Sequence, residues 1–529
     1  MVVAQEPLAA RVGVDILKKG GNAVDAAVAV GFAMAVTYPR AGNMGGGGFM
    51  VIHRADGDNV AIDYRETAPA AITATSFLDG QGNADPEKSR NSALAIGIPG
   101  TVAGLALAEQ KYGSGRFTLA DLIAPAIALA RDGFAVSATT MPPPFAASRL
   151  ARWPSSAKIF LKPDGSALSV GDRLVQSDLA NSLETVAKDG PRAFYDGPMA
   201  QKIAAAVQAA GGVMTADDLK QYRAVERAPV RGTYRGYGIV SMPPPSSGGV
   251  ELIEMLNILE GYDLAHDDQG QFAFLMVEAM KRAYADRALF LGDPGTVDNP
   301  VARLTAKNYA AQWQATIDPT HATPASAVRA GGSVDGEGRN TTHFSVVDRF
   351  GNAVSNTYTL NFSYGVGLVA GGTGILLNNE LDDFAAKPDS PNAYGLVGYS
   401  ANAPGPGKRP LSSMTPTIVL KDGKPFLITG SPGGSRITTT VLQVVVDVID
   451  RGMDIAAAVS APRIHNQWVP DQVYAEPGVP DIVVSTLKAR GDKVVPQRPF
   501  TSANSILITP GGFVGAADPR EGGALAVGY

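Results

Sequence analysis

The chain changes character at residues 319–340, a stretch without periodicity, and this change most constrains the fold. Before it, segments with helical apolar spacing alternate with short strand-like segments. After it, Thr342–Val347 is typical of a strand, residues 350–352 of a turn, and residues 353–360 of a returning strand. The stretch itself is rich in Ala, Gly, Ser and Asp, which predicts an exposed linker. Strands on both sides of a linker, with helices between them, favour a layered α/β sandwich fed by both halves.

Apolar periodicity, caps and turn residues divide most of the chain into predicted elements. Helices are predicted at 9–19, 22–36, 101–132, 175–189, 197–211, a short segment after Thr215, 250–260, 271–291, 303–317, 436–450 and 483–490. Strands are predicted at 49–53, 60–64, 374–378, 416–420, 425–429, 505–509 and 513–516, in addition to the hairpin.

Composition excludes several classes of protein. The 529 residues carry 45 Lys and Arg against 50 Asp and Glu, a net charge of −5, so there is no basic field to bind a nucleic acid. With 45% apolar and 18% charged residues, the chain can build a core, and its length predicts about two to four structural units. The longest apolar run, 26–36, is too short to span a membrane, which takes about 20 residues.

The chain has no cysteine, which excludes disulfides, thiolate nucleophiles and cysteine-ligated zinc. Its five histidines never fall at HxxxH spacing, so we predict no metal site. We also predict that no organic cofactor is needed. The first residues show neither a positive region nor an apolar one, so no export signal is visible. Either the protein is cytoplasmic or a signal was removed before this numbering begins.

The segment Asn340-Thr341-Thr342-His343 holds the strongest candidate for chemistry. A hydroxyl nucleophile needs a base, and an α-amine with a pKa of about 7.7–8.0 can serve if the nucleophile is the first residue of its chain. A backbone cut before Thr341 would leave such a threonine at the edge of a sheet. Position alone favours an ordinary linker followed by a β-branched strand start.

Longer motifs resemble the bacterial γ-glutamyltranspeptidases, in the same order along nearly the whole chain. In the second half they are residues 341–348, 351–354, 357–361, 373–379, 382–384, 410–414 and 430–436. In the first half they are residues 20–27, 42–43 with the glycines 45–48, 65–66, 99–102, 242–249 and 284–287.

The resemblance implies a four-layer αββα sandwich of the N-terminal-nucleophile hydrolase type. It implies a precursor that cuts itself between Asn340 and Thr341, giving a large subunit of residues 1–340 and a small catalytic subunit of residues 341–529. The two subunits would interleave as one compact unit.

The resemblance also implies the catalytic residues. Thr341 would attack the γ-glutamyl amide of glutathione, glutamine or a related donor, and water or the amine of an amino acid or peptide would then resolve the ester. Thr359 matches the threonine that holds the nucleophile in line. Gly433 and Gly434 match the glycine pair whose backbone N–H groups stabilise the oxyanion.

Donor recognition is implied at a further set of positions. Arg65 matches the arginine that binds the α-carboxylate, and Asp383 the carboxylate that pairs with the α-ammonium. The remaining donor contacts would be Asn361, Glu380, Ser412 and Ser413, with Tyr394 as the gating residue of a lid at 388–399. His343 is interpreted as structural, on the same strand face as Thr341.

Two alternatives remain open. A glutaryl-type cephalosporin acylase of the same superfamily would bind a side chain without an ammonium, which would leave Asp383 and Glu380 unpaired. A non-catalytic binding protein would stay in one piece.

Family members are exported, so the resemblance implies a periplasmic or secreted protein. Its partners would be the small-molecule donor and acceptor.

Overall fold

The computed structural model describes residues 1–328 and 341–529. The strands are β1 Val2–Ala4, β2 Gly47–His53, β3 Asn59–Tyr64, β4 Phe134–Ala135, β5 Arg173–Leu174, β6 Val225–Arg227, β7 Val230–Tyr234, β8 Tyr237–Ser241, β9 Thr342–Val347, β10 Ala353–Thr359, β11 Val369–Ala370, β12 Ile375–Leu376, β13 Thr417–Lys421, β14 Lys424–Thr429, β15 Ile464–His465, β16 Val473–Ala475, β17 Val494–Pro496, β18 Asn504–Thr509, β19 Gly512–Ala517 and β20 Leu525–Val527.

The α-helices lie between these strands and after them. They are α1 Pro7–Lys18, α2 Ala23–Thr37, α3 Thr101–Tyr112, α4 Leu119–Asp132, α5 Pro144–Ala151, α6 Pro154–Phe160, α7 Ser177–Asp189, α8 Arg192–Tyr195, α9 Pro198–Ala209, α10 Ala216–Gln221, α11 Gly248–Leu259, α12 Gln269–Phe290, α13 Val301–Leu304, α14 Lys307–Gln314, α15 Ala325–Val328, α16 Arg436–Ile449, α17 Ile455–Ser460 and α18 Asp481–Ala489.

Two antiparallel sheets form the centre of the molecule. The first has seven strands in the order β20-β1-β9-β10-β2-β3-β6, and the second has six in the order β19-β18-β14-β13-β8-β7. Each sheet takes strands from both sides of residues 329–340. The predicted contribution of both halves to one sandwich is therefore confirmed.

The layers follow from the way side chains alternate between the two faces of each strand. In β2, Phe49 and Val51 pack between the two sheets, whereas Met50 and Ile52 join the core shared with α2 and its neighbouring helices. A separate core packs α11, α12 and α16 against the outer face of the second sheet. Because side chains on a strand alternate between faces, each sheet buries one face against helices and the other against its partner sheet. The result is the predicted αββα sandwich.

Local signals set the helix starts that frame the site. Asn22 caps α2 by accepting from the N–H of Asp25, whose own carboxylate accepts from the N–H of Asn22. The same reciprocal arrangement starts α4, where Thr118 and Asp121 are the pair. The helix predicted at 101–132 is therefore two helices, because this cap begins a new one after the turn that follows Tyr112.

Other predictions need correction. The helix predicted at 303–317 is broken into α13 and α14, and the strand at 374–378 is reduced to Ile375–Leu376. Thr341 is not at a sheet edge, because β9 lies between β1 and β10 inside the first sheet. The segment at 319–340 is not an exposed linker throughout. Ala325 in α15 is buried, and its carbonyl accepts from the indole of Trp468 at 2.9 Å.

In the part of the chain that the structure describes, no helix combines the length and the apolar character needed to cross a bilayer.

The inter-sheet layer predicts a large effect of one core substitution. Phe49→Ala should lower the free energy of unfolding by about 3–5 kcal/mol, because Phe49 is fully buried between the sheets. Phe350→Ala is the matched control, since that ring is 54% exposed, and should cost less than about 0.5 kcal/mol. Urea titration measures both, and losses of equal size would contradict this packing.

Candidate active site

A cavity of about 300 Å³ opens beside Thr341, the residue that leads into β9. Its walls bring together residues as distant in sequence as Arg65 and Ile437. The sequence-predicted residues that line it are Arg65, Thr341, Thr359, Asn361, Glu380, Asp383, Tyr394, Ser412, Ser413 and Gly434. Gly433 lies next to it, on the wall of a second cavity that also reaches Thr341. Asn340 lies outside the described residues.

Thr341 is held close to the end of the neighbouring strand. Its hydroxyl donates to the hydroxyl of Thr359 at 3.5 Å, and Thr359 Oγ1 also accepts from the N–H of Asn361 at 2.8 Å. Asn361 has a positive φ of 69°, a conformation that asparagine tolerates better than most residues. This turn directs the chain away from β10 and places the Asn361 side chain at the cavity wall.

Arg65, at the exit of β3, lies at the centre of a group of three acids. Its guanidinium donates to Glu380 and to Asp383, lies 3.8 Å from Glu66, and donates through Nε to the Pro410 carbonyl at 3.0 Å. The Arg65 side chain is fully buried. In this structure the guanidinium therefore contacts the acids that were predicted to bind a substrate ammonium.

The close grouping of these charges in a buried site perturbs the pKa values of Arg65, Glu66 and Glu380. Burial raises the pKa of Glu66 from 4.5 to about 8 and raises that of Glu380 well above its usual value, although Arg65 opposes both shifts. Burial also works against the cation, but Glu380, Asp383 and Glu66 outweigh it and raise the pKa of Arg65. A positive charge on a ligand would oppose the upward shifts and stabilise these acids as carboxylates.

Two polar atoms at this cavity lack a hydrogen-bond partner among the described residues. They are Glu380 Oε2 and the hydroxyl oxygen of Ser413, both buried. Ser412 Oγ accepts from the N–H of Met414 at 3.1 Å, which leaves its own proton available. Unpaired buried polar groups cost free energy, so these atoms favour a ligand with matching donors and acceptors.

The glycine pair before α16 closes the site from the other side. Gly433 and Gly434 have φ of 132° and 56°. A Cβ on Gly434 would lie 2.1 Å from the ring of Tyr394, and one on Gly433 would lie 2.4 Å from Thr501 Cγ2. Only glycine fits both positions. The pair precedes the N-terminus of α16, where the helix dipole favours negative charge.

Tyr394 covers the cavity. Its hydroxyl donates to the carbonyl and side-chain oxygens of Asn361, at 2.8 and 2.7 Å. Burial raises the pKa of Tyr394 well above its usual value, so the hydroxyl remains a donor. The ring also meets Phe362 edge-on, with 6.5 Å between centroids. Residues 388–399 thus lie over the site and are tied to its wall.

His343 lies between the sheets and not in the cavity. Its ring contacts Thr357 Oγ1 at 2.8 Å and Ser345 Oγ at 3.0 Å. Burial lowers its pKa to about 3, so it stays neutral. This matches the structural interpretation of His343.

Sequence reasoning missed two charged residues near the site. Arg287 lines the cavity from α12, donates to Ser247 Oγ at 3.2 Å and lies 3.4 Å from Glu251. It belongs to the motif at 284–287, which could have marked it. Glu66 was noted only as the neighbour of Arg65, and its burial could not be read from the sequence.

Two sheets pack face to face, and Thr341 directly precedes β9, an interior strand of the first sheet. This arrangement defines the fold of an N-terminal-nucleophile hydrolase. A cephalosporin acylase from Bacillus halodurans has this architecture with a TM-score of 0.86 and 27% identity, covering 100% of this chain and 95% of that one. A γ-glutamyltranspeptidase from Helicobacter pylori gives a TM-score of 0.59 and 44% identity, covering 61% and 93%.

Sequence comparison gives the family. The family model for gamma-glutamyltranspeptidase matches residues 9–528. The glutathione hydrolase proenzyme of Escherichia coli K12 is 52% identical over 534 residues, covering 100% of this chain and 92% of that protein. This chain belongs to the γ-glutamyltranspeptidase family, a family of enzymes.

The acid cluster predicts a pH dependence of stability. The unfolded chain loses the Glu66 proton near its ordinary pKa of 4.5, whereas the folded chain keeps it until about 8. Stability should therefore fall as pH rises between these values, and Glu66→Gln should reduce that fall.

Melting temperatures at several pH values across this window measure the slope. Glu184→Gln is the control. Glu184 is exposed and its pKa is lowered by a hydrogen bond from Arg131, so it is ionised throughout the window. An unchanged slope in Glu66→Gln would contradict the assignment.

Proposed function

We propose that this chain is a self-processing γ-glutamyltransferase and hydrolase in which Thr341 is the nucleophile. The observation that carries the proposal is that one cavity is lined by Thr341 and Thr359 and also by Arg65, Glu380 and Asp383. A hydroxyl beside a site for one carboxylate and one ammonium is what acyl transfer from an α-amino acid donor needs.

Processing comes first in this proposal. The Thr341 hydroxyl attacks the Asn340 carbonyl, and hydrolysis of the resulting ester leaves residues 1–340 and 341–529 as two subunits. Strands of the two parts are paired in both sheets, β1 with β9, β10 with β2 and β13 with β8, which would keep the subunits together after the cut. The products would form a heterodimer of large and small subunits.

The new α-amine then serves as the base. It takes the proton of the Thr341 hydroxyl, which attacks the γ-carbonyl of the donor, while Thr359 orients the hydroxyl. The N–H groups of Gly433 and Gly434 receive the oxyanion. The leaving amine takes the proton, and water or an amino acid or peptide amine resolves the ester.

Arg65, together with Asp383 and Glu380, would provide the donor specificity. The α-carboxylate of the donor would accept from Arg65 and from the hydroxyls of Ser412 and Ser413. The α-ammonium would pair with Asp383 and Glu380, with Asn361 beside them. This exchange separates Arg65 from the acids it contacts in the structure, and each charge gains a partner of opposite sign.

The segment over the cavity limits donor size. Because Tyr394 and its neighbours cover the cavity, we expect glutathione, glutamine or similar small donors rather than polymers. By analogy with the relatives we also propose an exported, periplasmic or secreted protein.

A second candidate is a glutaryl-type acylase, favoured by the similarity to the Bacillus halodurans cephalosporin acylase. A glutaryl group would satisfy Arg65 but would leave Glu380 and Asp383 without a cation. Burying unpaired carboxylates costs several kcal/mol. The acid cluster therefore favours a γ-glutamyl donor.

Substitution of the nucleophile tests the processing. Thr341→Ala should remain a single polypeptide and show no turnover of γ-glutamyl-p-nitroanilide, because both steps need its hydroxyl. Thr342→Ala is the matched control. Its hydroxyl is buried without a partner among the described residues, so this variant should still mature. Gel electrophoresis and intact mass measure the outcome, and a fully cut Thr341→Ala would refute the assignment.

Donor specificity is tested by Asp383→Asn. Its kcat/KM for γ-glutamyl-p-nitroanilide should fall about 10- to 100-fold, since a charged hydrogen bond is worth roughly 1.5–3 kcal/mol. The value for glutaryl-p-nitroanilide, which has no ammonium, should fall much less. For each variant, the ratio of the kcat/KM values for the two substrates serves as the internal control. An unchanged ratio, or a wild type that prefers the glutaryl substrate, would contradict the proposal.

A further inference from the structure

The first half of the chain contributes a second buried arginine to the cavity beside Thr341. Arg287, from α12, lines this cavity and is 3% exposed. It ends the motif at 284–287, to which the proposed function gives no role. The motif at 242–249, also without a role, contacts it, because Arg287 Nε donates to Ser247 Oγ at 3.2 Å. The two motifs therefore meet at the wall of the donor site.

Arg287 differs from the other buried arginine of the same helix. Each nitrogen of the Arg282 guanidinium donates to Glu278 or Thr316, at 2.6 to 3.1 Å. Arg287 donates only through Nε among the described residues, and its ion pair with Glu251 is 3.4 Å long. A loose buried ion pair is a poor source of stability, so stability does not account for Arg287. Its two terminal nitrogens remain available to the cavity that it lines.

Ser247 connects Arg287 to the serine pair that is predicted to bind the donor carboxylate. The carbonyl of Ser412 accepts from the Ser247 hydroxyl at 2.9 Å and from the Ser247 N–H at 2.8 Å. The next carbonyl, that of Ser413, accepts from Thr415 Oγ1 at 2.9 Å. The backbone of the pair is thus fixed, whereas its two hydroxyls keep their protons available for a ligand. Fixing the donors in advance lowers the free-energy cost of binding.

Glu251 determines how much of the Arg287 charge is balanced. It lies in the first turn of α11 and is fully buried. Burial raises its pKa to about 7, although Arg287 opposes the shift. Above this pH the carboxylate offsets the guanidinium charge. Without that carboxylate, the whole charge would act on an anion in the cavity.

We propose that Arg287 is a positioning and specificity residue for the donor. Through Ser247 it holds the turn at 412–413, and its charge favours the α-carboxylate that this turn receives. This inference rests on the proposed function and adds a second cation to the carboxylate side of the donor site. Arg65 is engaged by two acids in this structure, whereas Arg287 has donors that no described residue uses.

The test compares a donor that has the α-carboxylate with one that lacks it. The donors γ-glutamyl-p-nitroanilide and 4-aminobutyryl-p-nitroanilide differ only in this group. We measure kcat and KM for both at pH 8.5, above the pKa of Glu251, and take the ratio of the two kcat/KM values. Arg287→Gln should raise the KM for the γ-glutamyl donor about 10-fold with kcat nearly unchanged, because it removes binding that the ground and transition states share. The ratio should fall by a similar factor.

Two further variants separate the hydrogen bonds from the charge. Ser247→Ala keeps Arg287 but removes the hydroxyl that joins it to Ser412, so the KM for the γ-glutamyl donor should rise about 3- to 10-fold. Glu251→Gln removes the carboxylate that offsets Arg287, so the same KM should fall about 2- to 5-fold and the ratio should rise. Damage to packing alone would not lower a KM.

Arg192→Gln is the matched control. That side chain is 85% exposed and is absent from the walls of the donor cavity, so its KM and ratio should equal the wild-type values. The KM values decide even if the 4-aminobutyryl donor is turned over too slowly for a ratio. If Arg287→Gln does not mature, Ser247→Ala and Glu251→Gln still decide.

Three outcomes would overturn this role of Arg287. They are an unchanged donor KM in Arg287→Gln, an unchanged donor KM in Ser247→Ala, and a donor KM that stays the same or rises in Glu251→Gln. A wild type that does not release p-nitroaniline from the γ-glutamyl donor would instead overturn the proposed function.

Discussion

The strand that follows Thr341 is held in three directions, and the site depends on this restraint. Within its sheet, β9 pairs with β1 on one side and β10 on the other. Across the gap between sheets, Ser345 donates to the Asn504 carbonyl at 2.9 Å, and the Asn504 amide donates to the His343 carbonyl at 3.0 Å. Each such bond contributes about 0.5–1.5 kcal/mol, and together they fix the start of the strand between two cavities. A nucleophile that must react first with its own chain and then with a substrate needs such a fixed position.

The grouping of three acids around one buried arginine is the second organising feature. One buried arginine contacts three carboxylates in the first cavity, and burial keeps part of this group protonated. A zwitterionic donor would supply both an anion for Arg65 and a cation for the acids, which would favour the ionised form of those acids.

Much of this arrangement was predictable from the sequence, because local signals and long motifs agreed. The hairpin at 342–359, the cap at Asn22 and the glycine pair before α16 all have local causes. The short strands Val2–Ala4 and Leu525–Val527 were missed, because three residues carry no period; these strands are fixed by pairing with each other and, for Val2–Ala4, with β9. The interior position of β9, the burial of Glu66 and the Arg65 contacts with its acids also depend on distant segments. Sequence spacing could not supply them.

The central claim is that the working protein has a free amine on Thr341. Intact mass and N-terminal sequencing of the purified, active wild type test this most directly, with donor turnover measured on the same sample. The account predicts two polypeptides, of which the smaller comprises residues 341–529 and begins with threonine. Full activity from a sample that contains only the unbroken chain of 529 residues would contradict it.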